Sequence, residues 1–269
     1  MDSLNLQVLD YTIITVYLLI TFAIGFVAER WASKDGEAYF LGGRKLPWWA
    51  LGASGMASNV DIGGTALAVG LIYAIGVQGF FVEIRGGIVL VMAILLAFMG
   101  KWNRRSGVMT RAEWMIFRFG DGTGGKVARV ASAVSEVLFA IWVTAYFAKG
   151  LEVFVGPLTP FPPQLVSIVV VGFVALYAMA GGLTGVVWTD VFQGGLIFLA
   201  VVYICAMAIG QPALPDQFSV SLPMGDGQFA ERVVTYDEWT NAAPAADLGF
   251  EEESSYSQYN AFWWLIGIM

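Results

Sequence analysis

The chain has no histidine and only one cysteine among its 269 residues. Without histidine there is no His-ligated zinc centre, no Ser-His-Asp triad and no imidazole proton relay. The one cysteine, Cys205, lies inside an apolar run, so no intrachain disulfide forms and thiol-pair redox chemistry is excluded. Charge is scarce too, at 13% of residues, where a soluble domain carries about 25%. The first ten residues lack the basic cluster that opens a secretory signal peptide, and the apolar run after them is long enough to span a bilayer. What fills the chain instead is apolar: 58% of residues, with a mean hydropathy of +0.70. The composition is that of a membrane protein.

The net charge of −7 belongs to one region. Residues 211–258 hold nine acidic side chains against the single base Arg232, a local charge of −8. The remainder is close to neutral and offers no basic face for nucleic acid.

A helix rises about 1.5 Å per residue, so a hydrocarbon core of about 30 Å takes roughly 20 apolar residues. Six stretches meet or approach this length, at residues 9–28, 47–72, 79–99, 127–155, 164–180 and 185–209. A seventh begins at Tyr259 and reaches Met269 after eleven residues, too few for a helical crossing. The expectation is a truncated span or a tail at the interface. The loops at 29–46 and 100–130 contain 11 of the 14 basic residues. By the positive-inside rule they share the cytoplasmic side, which puts the N-terminus, the GPLTPFPPQ turn and the acidic region outside. Trp31, Trp48, Trp49 and Trp102 fall near predicted helix ends, where amphipathic rings favour the headgroup layer.

The second predicted span differs from the others. It reads PWWALGASGMASNVDIGGTALAVGLIYAIG and collects Ser58, Asn59, Asp61, Gly63, Gly64 and Thr65 near its middle. Ionisable groups at membrane depth face a bundle interior or a water-filled cavity. Tandem glycines weaken the helix, and irregular backbone is tolerated there only where protein or a cavity surrounds it. The pattern predicts a broken helix whose released carbonyls can hold a cation. An ordinary kinked helix using small residues for close packing would look similar.

The run AYFLGGRKLPWWALGASGMASN resembles the first core helix of the sodium:solute symporter family, which includes sodium–sugar and sodium–proline transporters. The run YAMAGGLTGVVWTDVFQ resembles that family's junction between its fourth and fifth core helices. The resemblance extends from about Leu9 to Gly210. It implies an all-α membrane protein with an inverted-repeat, broken-helix transporter fold. Residues 1–28 would be an extra N-terminal helix, 29–46 a cytoplasmic loop, 47–209 the first five-helix repeat, 210–258 an acidic extracellular loop and 259–269 the start of the second repeat. It further implies sodium-coupled symport of a small organic solute by alternating access, in a plasma membrane or bacterial inner membrane, with sodium as the coupling ion. Family sodium ligands map to the backbone carbonyls of Ala57 and Val60, and the remaining ligands would come from an eighth core helix beyond this chain. Asp190 matches an acid near the cytoplasmic exit of the sodium site. Glu83 matches a sugar-contacting acid, and Asn59 and Gly64 are the substrate-side positions on the break. Gly64 stands where galactose-transporting members use glutamine, a departure that argues against a galactose-like substrate.

Asp61 departs further, since many relatives carry a small hydroxyl residue there. A carboxylate in the break can ligate sodium, carry a proton or pair with a cationic substrate; it can also cap the second half-helix. Asp190 likewise suits a helix start, and Glu83 has Arg85 nearby as an ion-pair partner. Lys149 and Glu152 are spaced to pair on one helix face, while Glu136 has no partner evident in sequence. GDGTGGK lacks the spacing and the preceding strand of a phosphate loop and reads as a flexible loop. Two other functional classes are compatible with the composition: a symporter-like sensor or scaffold, and an intramembrane enzyme using Asp61 and Glu136 as an acid pair. The absence of histidine and of a nucleophile–base pairing weighs against the enzyme.

Overall fold

In the computed structural model, which describes residues 7–80, 89–224, 228–242, 249–254 and 257–260, apolar runs uninterrupted by proline become helices. Helix α1 spans Val8–Ala32 and starts at a reciprocal cap in which the Gln7 amide donates to Asp10 Oδ2 at 2.8 Å. Helix α2, Gly36–Leu41, is capped by Asp35, whose Oδ1 accepts from the Ala38 amide at 2.6 Å. Then come α3 (Trp48–Ala57), α4 (Ile62–Ile75), α5 (Val89–Ser106), α6 (Arg111–Phe119), α7 (Thr123–Phe154) and α8 (Pro163–Ile209). Among the described residues, three helices are long and apolar enough to cross a membrane: α1, α7 with the turn after it, and α8. Helices α3 and α4 taken together supply a fourth.

Several expected boundaries move. Helix α5 runs to Ser106, beyond the predicted end at 99, so Lys101, Arg104 and Arg105 lie on its last turns rather than in a loop. The basic segment after it forms the short helix α6, capped by Thr110 Oγ1, which accepts from the Glu113 amide at 3.1 Å. GDGTGGK is only partly loop: Gly120 to Gly122 make the turn and Thr123 already opens α7. The predicted spans at 164–180 and 185–209 are one helical run interrupted at Gly182, whose φ of 53° and ψ of −158° suit glycine almost alone.

The chain clusters into two units, residues 1–63 with 106–209 and residues 64–105 with 210–269. In the first, α1 lies along both arms of α8. Phe173 packs on Phe22 and Tyr177 on Gly25, while Gly182 reaches Ala32; beyond it, Gly185 returns to Ala28 and Phe192 to Tyr17. The chain therefore approaches Ala32 in one arm and recedes in the other, and α8 is a helical hairpin. At about 1.5 Å per residue its arms measure roughly 28 and 40 Å, lengths suited to separate crossings. Close approach depends on small residues. The buried stripe of α1 is Thr21, Gly25, Ala28 and Ala32, and a Cβ at Gly25 would come within 2.9 Å of Tyr177 Cβ. Such spacing lets apolar helices pack by van der Waals contact where the hydrophobic effect between them is absent.

The second unit contains the part the sequence reading described least well. The acidic region, expected as a loop, holds an antiparallel hairpin of β1 (Gln217–Pro223) and β2 (Phe229–Thr235). It is followed by the short helix α9 (Tyr236–Thr240), capped by Thr235, whose side chain accepts from the Glu238 amide. Val220 and Leu222 alternate with exposed Ser219 and Ser221, giving the strand one apolar face. That face and Val234 pack on Leu71, Ala74 and Ile75 of α4, with Phe250 completing the core and Phe218 and Trp239 against its edge. The charges lie elsewhere: Glu251 to Glu253 are exposed.

Candidate cation and solute site

The second span is broken where the polar cluster predicts. Helix α3 ends at Ala57, Ser58 and Asn59 form a turn, and α4 starts at Ile62 directly after Asp61. Local hydrogen bonds explain the stop. The Ser58 hydroxyl donates to the Ser54 carbonyl at 2.7 Å, and Asn59 Nδ2 donates to the Gly55 carbonyl at 2.7 Å. Both side chains thus occupy backbone acceptors of the last helical turn, a competition that favours helix ends. The Val60 amide donates to the Ala57 carbonyl at 3.1 Å, a tighter turn than an α-helix makes. The C-terminal, partially negative end of α3 and the N-terminal, partially positive end of α4 therefore meet at the break.

Two carboxylates fasten it. Asp61 sits at the residue before α4, where a cap belongs, and its Oδ1 accepts from the Tyr146 hydroxyl of α7 at 3.1 Å. Gly63 permits this: a Cβ there would meet the Tyr146 hydroxyl at 2.6 Å. On the other flank, Asp190 of the second α8 arm accepts from the Ser54 hydroxyl at 2.6 Å. The same arm approaches closely at Gly194, where a Cβ would lie 3.3 Å from that of Ala57, and Trp49 meets Trp188 edge-on. Ala57, Val60 and Asp61 are consecutive with the break, and Asp190 is joined to them through Ser54 and Ser58.

The substrate-side expectations fare differently. The Asn59 amide nitrogen is engaged by its own helix, although the residue is exposed. Gly64 lies in the first turn of α4. Glu83, with Arg85, lies outside the described residues. Glu136 has the partner that sequence did not reveal, Arg111 Nη1 at 3.0 Å, while Lys149 and Glu152 pair at 2.6 Å as their spacing predicts. Asp61 and Glu136, considered together as an acid pair, have separate partners. The two basic loops do meet: Arg44 Nη2 donates to the Gly107 carbonyl at 2.9 Å. Sequence inspection overlooked Ser54 and Tyr146. The only available signal was their polarity within otherwise apolar helices.

A membrane-crossing helix interrupted at a polar turn, with carboxylates at the restart and beside the first half, is the architecture of an ion-coupled membrane transporter. The chain belongs to the sodium:solute symporter family, whose model matches residues 39–219. It is 30% identical to the sodium/glucose cotransporter 4 of Danio rerio over 70% of this chain and 28% of the relative. It is also 30% identical to the sodium/myo-inositol cotransporter of Canis lupus familiaris over 76% of this chain and 28% of the relative. A bacterial relative, the sodium/glucose cotransporter of Vibrio parahaemolyticus, is 29% identical over 70% of this chain and 34% of its own length. The chain thus spans about a third of the length of the curated relatives it matches. No solved structure matches it. The family is one of transporters rather than enzymes.

Proposed function

We propose that the complete protein couples sodium entry to the uptake of a small polyhydroxylated solute, a cyclitol or a hexose other than a galactose-like one, by alternating access. The observation that carries this reading is the break at residues 58–61 with Asp61 at its restart. Sodium sheds water only where oxygen atoms replace it. In this reading the carbonyls of Ala57 and Val60 supply two, at the negative end of α3, and Asp61 adds charge. Asp190 lies toward the exit and attracts the ion as it leaves. Solute hydroxyls are received by Asn59, Gly64 and the carboxylate of Glu83, the positions to which the resemblance points. The names of the relatives, glucose and myo-inositol cotransporters, support a polyol substrate.

The same reading gives the membrane arrangement. The N-terminus faces outside the plasma membrane or bacterial inner membrane, and the Arg44–Gly107 end faces the cytoplasm. Residues 1–28 form the extra helix, 47–209 the first repeat and 210–258 an acidic extracellular loop. The test is uptake of labelled glucose and labelled myo-inositol by proteoliposomes containing the protein as its gene encodes it. Accumulation driven by an inward sodium gradient and abolished by potassium replacement is the expected result. Equal uptake with either cation for both solutes, or binding without accumulation, would refute symport of this class; the second outcome would indicate a sensor.

A further inference from the structure

We propose that the groove between α1 and the second arm of α8 seats one phospholipid with an anionic headgroup. Two cavities meet there and share Trp31 and Trp188. The first, about 480 Å³, lies at the helix ends and includes Lys34, Lys45 and Thr184 in its wall. The second, about 570 Å³, continues along the membrane-spanning parts between Ile20, Ile24, Val27, Val191 and Phe192, with no charged side chain in its lining. A chamber with charged side chains in its wall, sharing two tryptophans with an apolar trough, has the polarity profile of a single phospholipid. Indole rings favour the boundary between headgroup and acyl layers.

Charge selects the headgroup. The first cavity also has Asp35 and Glu37 in its wall; the Glu37 charge is balanced by Arg44, so the two lysines outweigh the remaining Asp35 charge by one. Asp35 caps α2 through the Ala38 amide at 2.6 Å, and Glu37 pairs with Arg44 Nε at 2.6 Å. Among the described residues neither Lys34 nor Lys45 takes part in an ion pair. The Arg30 guanidinium carbon lies 4.4 Å from the centre of the ring of Trp31, a residue of both walls. The two lysines are matched to a phosphate that bears net charge, as in phosphatidylglycerol, better than to the zwitterion of phosphatidylcholine. The apolar trough distinguishes a lipid from a free phosphate, which has nothing to place there.

The experiment is native mass spectrometry of the full-length protein in mild detergent, titrated separately with phosphatidylglycerol and phosphatidylcholine. With the Asp35 charge set against the two lysines, the expected preference for phosphatidylglycerol is roughly fivefold. Lys34→Gln with Lys45→Gln is expected to bring the two lipids to equal retention. Ala23→Phe, at an exposed position lining the trough, is expected to lower retention of both lipids at least about fivefold and leave the headgroup preference in place. All three positions are exposed, and unchanged melting of the variants checks their folding. Equal retention of the two lipids by the wild type would overturn the proposal, as would a preference surviving loss of both lysines. Displacement of phosphatidylglycerol by equimolar glycerol phosphate, or an Ala23→Phe variant with unchanged retention, would show an anion pocket without a lipid seat and overturn it equally.

Discussion

Asp61→Asn isolates charge from shape at the break. Asparagine keeps an oxygen where Oδ1 accepts the Tyr146 hydroxyl at 3.1 Å, and it caps helices as well as aspartate does. What disappears is one negative charge beside the carbonyls of Ala57 and Val60. At a separation on the order of 6 Å and an effective dielectric of about 20, a unit charge stabilises sodium by on the order of 3 kcal/mol. That corresponds to roughly a hundredfold in affinity. Residual solvation at a partly exposed site lowers this, so the expected rise in half-saturating sodium is about ten- to a hundredfold. Solute uptake at saturating sodium should change little. The assay is initial uptake rate against external sodium in proteoliposomes at constant ionic strength, with melting of both proteins in detergent as a folding control. A half-saturating sodium concentration within about twofold of wild type, with normal melting, would remove Asp61 from the cation site and leave it a helix cap.

Other consequences concern the scaffold. Gly182→Ala places a side chain at φ 53° and ψ −158°, and its Cβ would lie 2.8 Å from the Tyr39 carbonyl. A loss of about 1–3 kcal/mol is expected from the backbone alone, and a melting midpoint unchanged in detergent would contradict the hairpin geometry of α8. Gly76→Ala, at φ 73°, would drive a Cβ into the Trp239 carbonyl. Backbone incompatibility costs more than about 1 kcal/mol, so hydrogen-exchange protection of β1 and β2 should fall; retained protection would contradict the docking of α9. Arg111→Gln removes the partner of Glu136 from a pair whose side chains are 77% and 44% exposed. Such pairs contribute about 0–1 kcal/mol, so melting and uptake should stay near wild type, and a tenfold loss of uptake would give Glu136 a functional role.

Much of the fold was legible in the sequence because bilayer thickness converts directly into run length. The limits of α1 and α7 differ from the predicted spans by only a few residues, since hydropathy reports where lipid contact ends. Basic residues obscured the end of α5, because a helix can continue into the headgroup layer once its charges reach water. The hairpin was missed for a different reason. Its alternation of Phe218, Val220 and Leu222 with serine was present, but nine acids in the region drew attention to charge, while the period-two pattern carried the structure.

The candidate site divides along the same line between local and distant information. The break arises from neighbours: Ser58 and Asn59 take carbonyls three or four residues back, and Asp61 follows immediately. Its ties are distant, Ser54 to Asp190 across 136 residues and Tyr146 to Asp61 across 85. No periodicity within one helix indexes a partner on another. Those ties also constrain how the site can work. A movement that separates α3 from α8 must break the Ser54–Asp190 bond, and one that withdraws the break from α7 must release the Asp61 carboxylate from Tyr146. Under the proposed cation site, the Asp61 carboxylate would accept the Tyr146 hydroxyl on Oδ1 and still offer Oδ2 to an ion, so one side chain would touch both the ion and α7.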